Sequence, residues 1–268
     1  MWGLILPSLA AAVLSGSLCG LLGVCALRLR LSSVGFAMAH AAFAGAALGL
    51  LVPVPPLVLS LLFALAVAAL LGPAAELTRL PAEVVLGVAF PLTMALGFVF
   101  LSLAPGEAMA SPALSLLWGS LLGVGWRDVA LLGGALGGSA GLMILFRREI
   151  LSVLLDRRLA EEAGIPARRY LWLILFLIAA AVAVSLKLVG GLLIYALLML
   201  PASAASQLAH DMKKLLVLAP ALGGGSALGG LAVSWALDLP VGAAIALVAA
   251  GGLAVATVLS PHRRRPNG

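Results

Sequence analysis

Apolar residues fill this chain in long blocks with short polar punctuation, and block length carries the first prediction. Runs of roughly 18 to 25 apolar residues are long enough to cross a bilayer as helices. They fall at 3–27, 35–52, 57–75, 83–104, 129–146, 170–189, 190–209, 215–237 and 241–259. A further run, 112–125, opens at Pro112 and gives way to Trp126, Arg127 and Asp128. It is too short to span and predicts a short or re-entrant helix buried in protein. The fold class is all-α: a polytopic transmembrane helix bundle of eight or nine spans. No repeat, linker or shift of composition divides residues 1–268, which predicts a single transmembrane domain.

One sizeable polar insertion, 147–169, breaks the pattern. Ile150, Val153, Leu154 and Leu155 form an apolar stripe at helical spacing. Arg157, Arg158, Glu161 and Glu162 supply a charged surface, and Gly164 followed by Pro166 is a helix stop. Two readings fit: an amphipathic helix lying on the membrane surface, or a rigid docking surface for a cytoplasmic partner. Basic residues set the orientation. Arg28, Arg30, Arg79, the arginines between 147 and 169, Lys213, Lys214 and Arg263 to Arg265 share one side, leaving Arg127 and Lys187 on the other. The layout predicts a multi-pass cell-membrane protein with its N-terminus outside and its C-terminus cytoplasmic.

Composition removes the soluble alternatives. With 63% hydrophobic and 10% charged residues, the chain lies far outside the range of soluble domains. The net charge of +6 sits at the ends of apolar runs, as membrane topology demands, so nucleic-acid binding is not indicated. Cys19 and Cys25 share one run and face different sides of a helix, which excludes a disulfide between them. The first run has no basic residue ahead of it and predicts a retained span rather than a cleaved signal. Glycines four apart, at Gly16/Gly20, Gly45/Gly49, Gly119/Gly123 and Gly133/Gly137/Gly141, suit close helix packing in lipid.

Candidate chemistry is sparse. His40 lies in the run 35–52, whereas His210 and His262 adjoin basic clusters. An ionisable group in hydrocarbon marks a substrate path or relay, or else is a neutral imidazole hydrogen-bonded within the bundle. Glu76, Glu83, Glu107, Asp128 and Asp238 fall at span ends or loops, so no carboxylate sits mid-membrane. That argues against a proton- or sodium-driven transporter and for energy supplied by another subunit. A Gly-x-x-x-x-Gly-Lys-Ser/Thr phosphate loop is absent, as are His-Glu-x-x-His, paired-Cys and Gly-x-Ser-x-Gly motifs, so the chain is not itself an ATPase or a recognisable hydrolase.

Several stretches together resemble the membrane permease subunit of zinc, manganese and iron ABC importers. Gly35-Phe36-Ala37-Met38-Ala39-His40-Ala41, with Gly45 and Gly49 beyond, is similar to that family's Gly-Asp-Ala-Leu-Ser-His-Ala motif. Glu83 to Phe90 resembles its acidic residue followed by Ile-Gly-Ile/Val. Leu117-Trp118-Gly119-Ser120-Leu121-Leu122 resembles its Leu-Phe-Gly-Ser-Ile-Leu stretch. Val189-Gly190-Gly191-Leu192-Leu193 and Pro201-Ala202 match a later segment. The resemblance implies a homodimeric permease working by alternating access, with an ATPase subunit that binds ATP and magnesium and an extracytoplasmic substrate-binding protein. It places ATPase coupling at Asp156, Glu161, Glu162, Ala163, Gly164 and Ile165, and a transported transition-metal ion against His40, with Phe36 on the substrate path.

One departure matters: Phe36 stands where the family has Asp, four residues before the histidine and on the same helix face. A single neutral imidazole does not offset the dehydration of a divalent ion. Sulfur from Met38, Met94, Met143 or Met199 would add soft ligands, though methionine is also an ordinary gap-filler. A metal chelate or other small solute on the same architecture is the alternative cargo. A partner-gated channel or scaffold without pumping is the alternative class.

Overall fold

The computed structural model describes residues 2–103, 119, 124–191 and 194–260. Nine apolar helices run through these residues: α1 (Trp2–Arg28), α2 (Val34–Leu48), α3 (Pro56–Thr78), α4 (Ala82–Leu103), α5 (Trp126–Leu145), α8 (Ala167–Val189), α9 (Ile194–Leu208), α10 (Met212–Leu237) and α11 (Val241–Leu259). Two short helices, α6 (Arg147–Leu155) and α7 (Arg157–Glu162), carry the polar insertion. Each of the nine runs read as spans becomes one helix. Seven are long and apolar enough to cross a membrane, whereas α2 and α9 have 15 residues each. At 1.5 Å per residue these two reach only about 22 Å, short of a hydrocarbon core. Their irregular flanks are tolerated because protein, not lipid, surrounds them.

Two groups of helices share one core. Around α2 stand α3, α4 and α8; around α1 stand α10, α9, α5 and α8, with α11 closing against α9 and α10. Helices α1 and α10 approach closely. There Gly16 and Gly20 lie against the backbone of Gly223 and Ala219, and a Cβ on Gly16 would run into the Gly223 carbonyl. Gly45 likewise lies against the Leu59 backbone on α3. Of the spaced glycines on α5, Gly137 and Gly141 face open space. The two cysteines are free and buried, and the Cys19 thiol approaches the Ser185 hydroxyl at 3.9 Å.

The ends differ from the expectation in two places. Helix α5 begins at Trp126, so Trp126, Arg127 and Asp128 form its first turn instead of trailing the preceding run. The Asp128 carboxylate accepts from the Gly125 N–H at 2.8 Å and from Lys187 Nζ at 2.8 Å. Polar residues there satisfy a helix start. The insertion is two helices rather than one, split at Asp156. That residue adopts an extended backbone and its carboxylate accepts from the Arg158 and Leu159 N–H groups. Nearly all of the run 112–125 lies outside the described residues.

Candidate functional site

Every residue of α2 is buried except Phe36 and the C-terminal Leu48. Phe36 is therefore the window through which the buried helix meets the outer face of the bundle. Its ring stacks on Tyr195 of α9 with centroids 3.7 Å apart, and lies 5.5 Å from Phe90 of α4. Phe90 in turn meets the His40 ring edge-on at 4.6 Å. Four rings from three helices thus make one cluster. Phe36, Phe90 and Tyr195 are half-buried and His40, at 3% exposure, lies behind them.

The orientation of His40 is fixed locally. Its Nδ1 lies 2.9 Å from the Phe36 carbonyl oxygen, four residues back on the same helix. A carbonyl oxygen can only accept, so Nδ1 carries the proton and Nε2 of the neutral ring holds a lone pair. This is the arrangement by which proteins present imidazole to a first-row metal: one nitrogen tied to a carbonyl, the other left as ligand. Among the described residues, no three His, Cys, Asp or Glu side chains gather into a metal-holding group. Met38, Met143 and Met199 are buried in the hydrophobic core, the packing role weighed for them above; Met94 is half-buried on α4.

Helices α2 and α4 run side by side in the same direction and in register. Glu83 meets Ser33, and Phe90 meets His40, so the seven-residue step is equal on both helices. At 1.5 Å per residue the two levels are about 10 Å apart. At the lower level the Glu83 Oε1 accepts from Ser32 Oγ, from the Ser33 N–H at 2.8 Å and from Ser33 Oγ at 2.7 Å. A carboxylate at that helix start is favoured by the unpaired N–H groups and by the helix dipole. The sequence marks Glu83 as a span-end acid and as the acidic residue of the Glu83–Phe90 match, but not its contact with the start of α2.

The sequence-predicted coupling residues gather at the basic end. Asp156 caps α7, Glu161 pairs with Arg157 at 3.1 Å, and Glu162 is exposed. Ala163 ends the helix, Gly164 turns the chain at φ +81°, and the Ile165 N–H returns to the Ala160 carbonyl. Ala160, Val153 and Ala167 form a small buried core with Ile165, Leu29 and Tyr170. The charged face of α7 is therefore held on a packed apolar base that ties α6, α7 and the start of α8 together. Beside it a cleft of about 690 Å³ is lined by Arg28, Arg30, Arg158, Arg168 and Trp172 among others. His40 and the α7 surface are separate features, at different depths of the bundle.

Nine apolar helices, one of them buried and carrying an oriented imidazole, define a polytopic membrane protein with an ionisable group inside its bundle. The particular kind follows from comparison: the chain belongs to the ABC 3 transport family, whose pattern it matches over residues 1–260. It is 27% identical to the manganese transport system membrane protein MntC of Halalkalibacterium halodurans, over 96% of this chain and 87% of that protein. It is 25% identical to the high-affinity zinc uptake system membrane protein ZnuB of Haemophilus influenzae, over 93% of this chain and 95% of that protein. Among solved structures, PsaBC from Streptococcus pneumoniae in complex with Fab contains a similar chain. It superimposes with a TM-score of 0.87 at 24% identity, covering 97% of this chain and 93% of that one.

Proposed function

We propose that this chain is the membrane-spanning subunit of an ATP-driven importer that carries a transition-metal ion across the cell membrane. The observation that supports it most directly is His40. It is buried in the bundle beneath the Phe36 window, with Nδ1–H donated to the Phe36 carbonyl and Nε2 left as a ligand atom. Full-length likeness to manganese and zinc transport membrane proteins supports the same class of cargo. In this reading two copies face each other and the cargo passes along the face carrying Phe36, Phe90 and Tyr195. An ATPase subunit docks on the α7 surface at Asp156, Glu161, Glu162, Ala163, Gly164 and Ile165, and an extracytoplasmic binding protein delivers the metal. The basic end, with Arg28, Arg30 and Arg79, faces the cytoplasm together with the C-terminus. ATP chemistry belongs to the partner; this chain supplies the path and a bistable bundle.

The aromatic surface favours a second cargo on the same architecture. Phe36 and Tyr195 present stacked rings where a carboxylate would complete a bare-ion site, and such a surface suits an apolar-shelled metal chelate. Reconstitution of the permease with its ATPase and binding protein in proteoliposomes decides between them. Uptake of Mn²⁺ or Zn²⁺ that His40→Ala abolishes without loss of assembly is the expected result. No accumulation of either ion, with uptake of a ferric or cobalt chelate instead, selects the second cargo. Unchanged uptake by His40→Ala returns the histidine to a packing role.

A further inference from the structure

We infer that Glu83 is a second cation-holding station on the cargo path, one aromatic layer below His40 toward the basic end; this rests on the metal-importer reading. Three observations carry it. The first is position. Glu83 is half-buried, on the in-register α2–α4 pair whose other level carries His40 and Phe90. The Phe36–Tyr195 stack lies between the two levels on α2, and Tyr195 is within electrostatic reach of the Glu83 carboxylate. The half-exposed side chains Ser33, Glu83, Phe36, Phe90 and Tyr195 form a continuous column on a bundle whose neighbouring α4 surface is apolar, with Val84, Val88 and Leu92 exposed.

The second is an accounting of oxygens. Capping the start of α2 uses Oε1 alone, which takes all three donors from Ser32 and Ser33. Oε2 is buried and has no hydrogen-bond partner. An unsatisfied buried oxygen on a charged group is costly, and capping does not explain it. Oε2 is enclosed in this state, and a cation admitted once the Phe36–Tyr195 stack opens is the partner that such an oxygen lacks. A hard carboxylate oxygen suits Mn²⁺ and is acceptable to Zn²⁺.

The third is the chemistry of position 36. With Phe36 in place of a carboxylate, the upper level offers one neutral nitrogen and no charge. Glu83 is an acidic side chain that the described column does contain. A cation leaving His40 would then meet its anionic partner after the Phe36–Tyr195 stack opens, rather than beside the histidine. Separating imidazole and carboxylate by about 10 Å makes two weak stations instead of one tight one, which favours release.

Glu83→Gln tests this in proteoliposomes with the complete transporter. The amide retains an oxygen to accept from Ser33 and removes the charge. Even carboxylates in the outer shell of a metal change its affinity by about 10–100-fold. The expected result is therefore a fall of that order in Mn²⁺ or Zn²⁺ uptake at subsaturating metal, with an altered Mn²⁺ to Zn²⁺ preference, for a complex that assembles and melts with the wild type. Glu83→Asp, which keeps the charge, recovers part of the rate. Wild-type uptake and ion preference in Glu83→Gln, with lost stability in Glu83→Ala, would make Glu83 a helix cap and overturn the inference. Failure of the wild-type complex to carry either ion overturns the metal-importer reading itself, and the station falls with it.

Discussion

The crossing of α1 and α10 gives a prediction whose size follows from geometry. In Gly16→Ala the new Cβ would lie 2.9 Å from the Ala227 Cβ and inside contact with the Gly223 carbonyl. Carbon atoms rest at about 3.5–4.0 Å, so the helices must separate by roughly 1 Å. Neither neighbour is the end of a flexible side chain, so rotamer changes do not absorb the strain. Overpacking of this kind costs about 1–3 kcal/mol, against about 0.5–1 kcal/mol gained by replacing glycine inside a helix. A net loss of up to about 2.5 kcal/mol remains, which lowers the melting temperature of a chain this size by up to roughly 10 °C. The assay is thermal unfolding of the purified protein in detergent, with Gly251→Ala as control, because the space around Gly251 is open. The control is expected to melt at or slightly above the wild type. Equal shifts in the two variants would refute the claim that the glycines at this crossing exist for close approach.

Three further outcomes are expected. Phe36→Asp places a carboxylate four residues before His40 and removes the stack on Tyr195; it should tighten Mn²⁺ or Zn²⁺ binding to the purified complex by about tenfold or more, read by calorimetry, if the path accepts bare ions. Glu161→Lys with Glu162→Lys reverses the exposed face of α7 without touching its buried base at Ala160; ATPase co-purification should fall while the permease melts as before, and undiminished association would remove the charged face from docking. Lys187→Ala breaks a partly exposed ion pair and should cost no more than about 1 kcal/mol. Asp128→Ala removes that pair and the Gly125 N–H acceptor, and should cost about 1 kcal/mol more; equal melting shifts would argue against the cap.

The spans were legible because hydropathy alone separates lipid-crossing segments from the rest, and each of the nine runs read as spans corresponds to one helix. The helix starts were less so: Trp126, Arg127 and Asp128 read as punctuation, although Asp128 is the third residue of α5 and answers the free Gly125 N–H. The division at Asp156 carried a local signal, an acidic residue ahead of Arg157-Arg158-Leu159, which the amphipathic stripe overshadowed. His40 and Phe36 stood out by chemistry and by spacing within one helix. Their neighbours did not, because Glu83, Phe90 and Tyr195 reach them through the packing of three helices, and no periodicity in a single chain encodes which faces will meet. The equal seven-residue steps from Ser33 to His40 and from Glu83 to Phe90 were present in the sequence. They acquire meaning only once α2 and α4 are known to be parallel neighbours.

That parallel pairing has a mechanical consequence. Two helices locked in register at both levels act as a ruler: the interval between the imidazole and the carboxylate stays fixed however the pair tilts. The third wall comes from a different helix: Tyr195 reaches in from the short α9, which follows the Gly190 turn at φ +85°. A crosslink between α2 and α4 should therefore leave transport running, because it joins two helices whose register is already fixed at both levels.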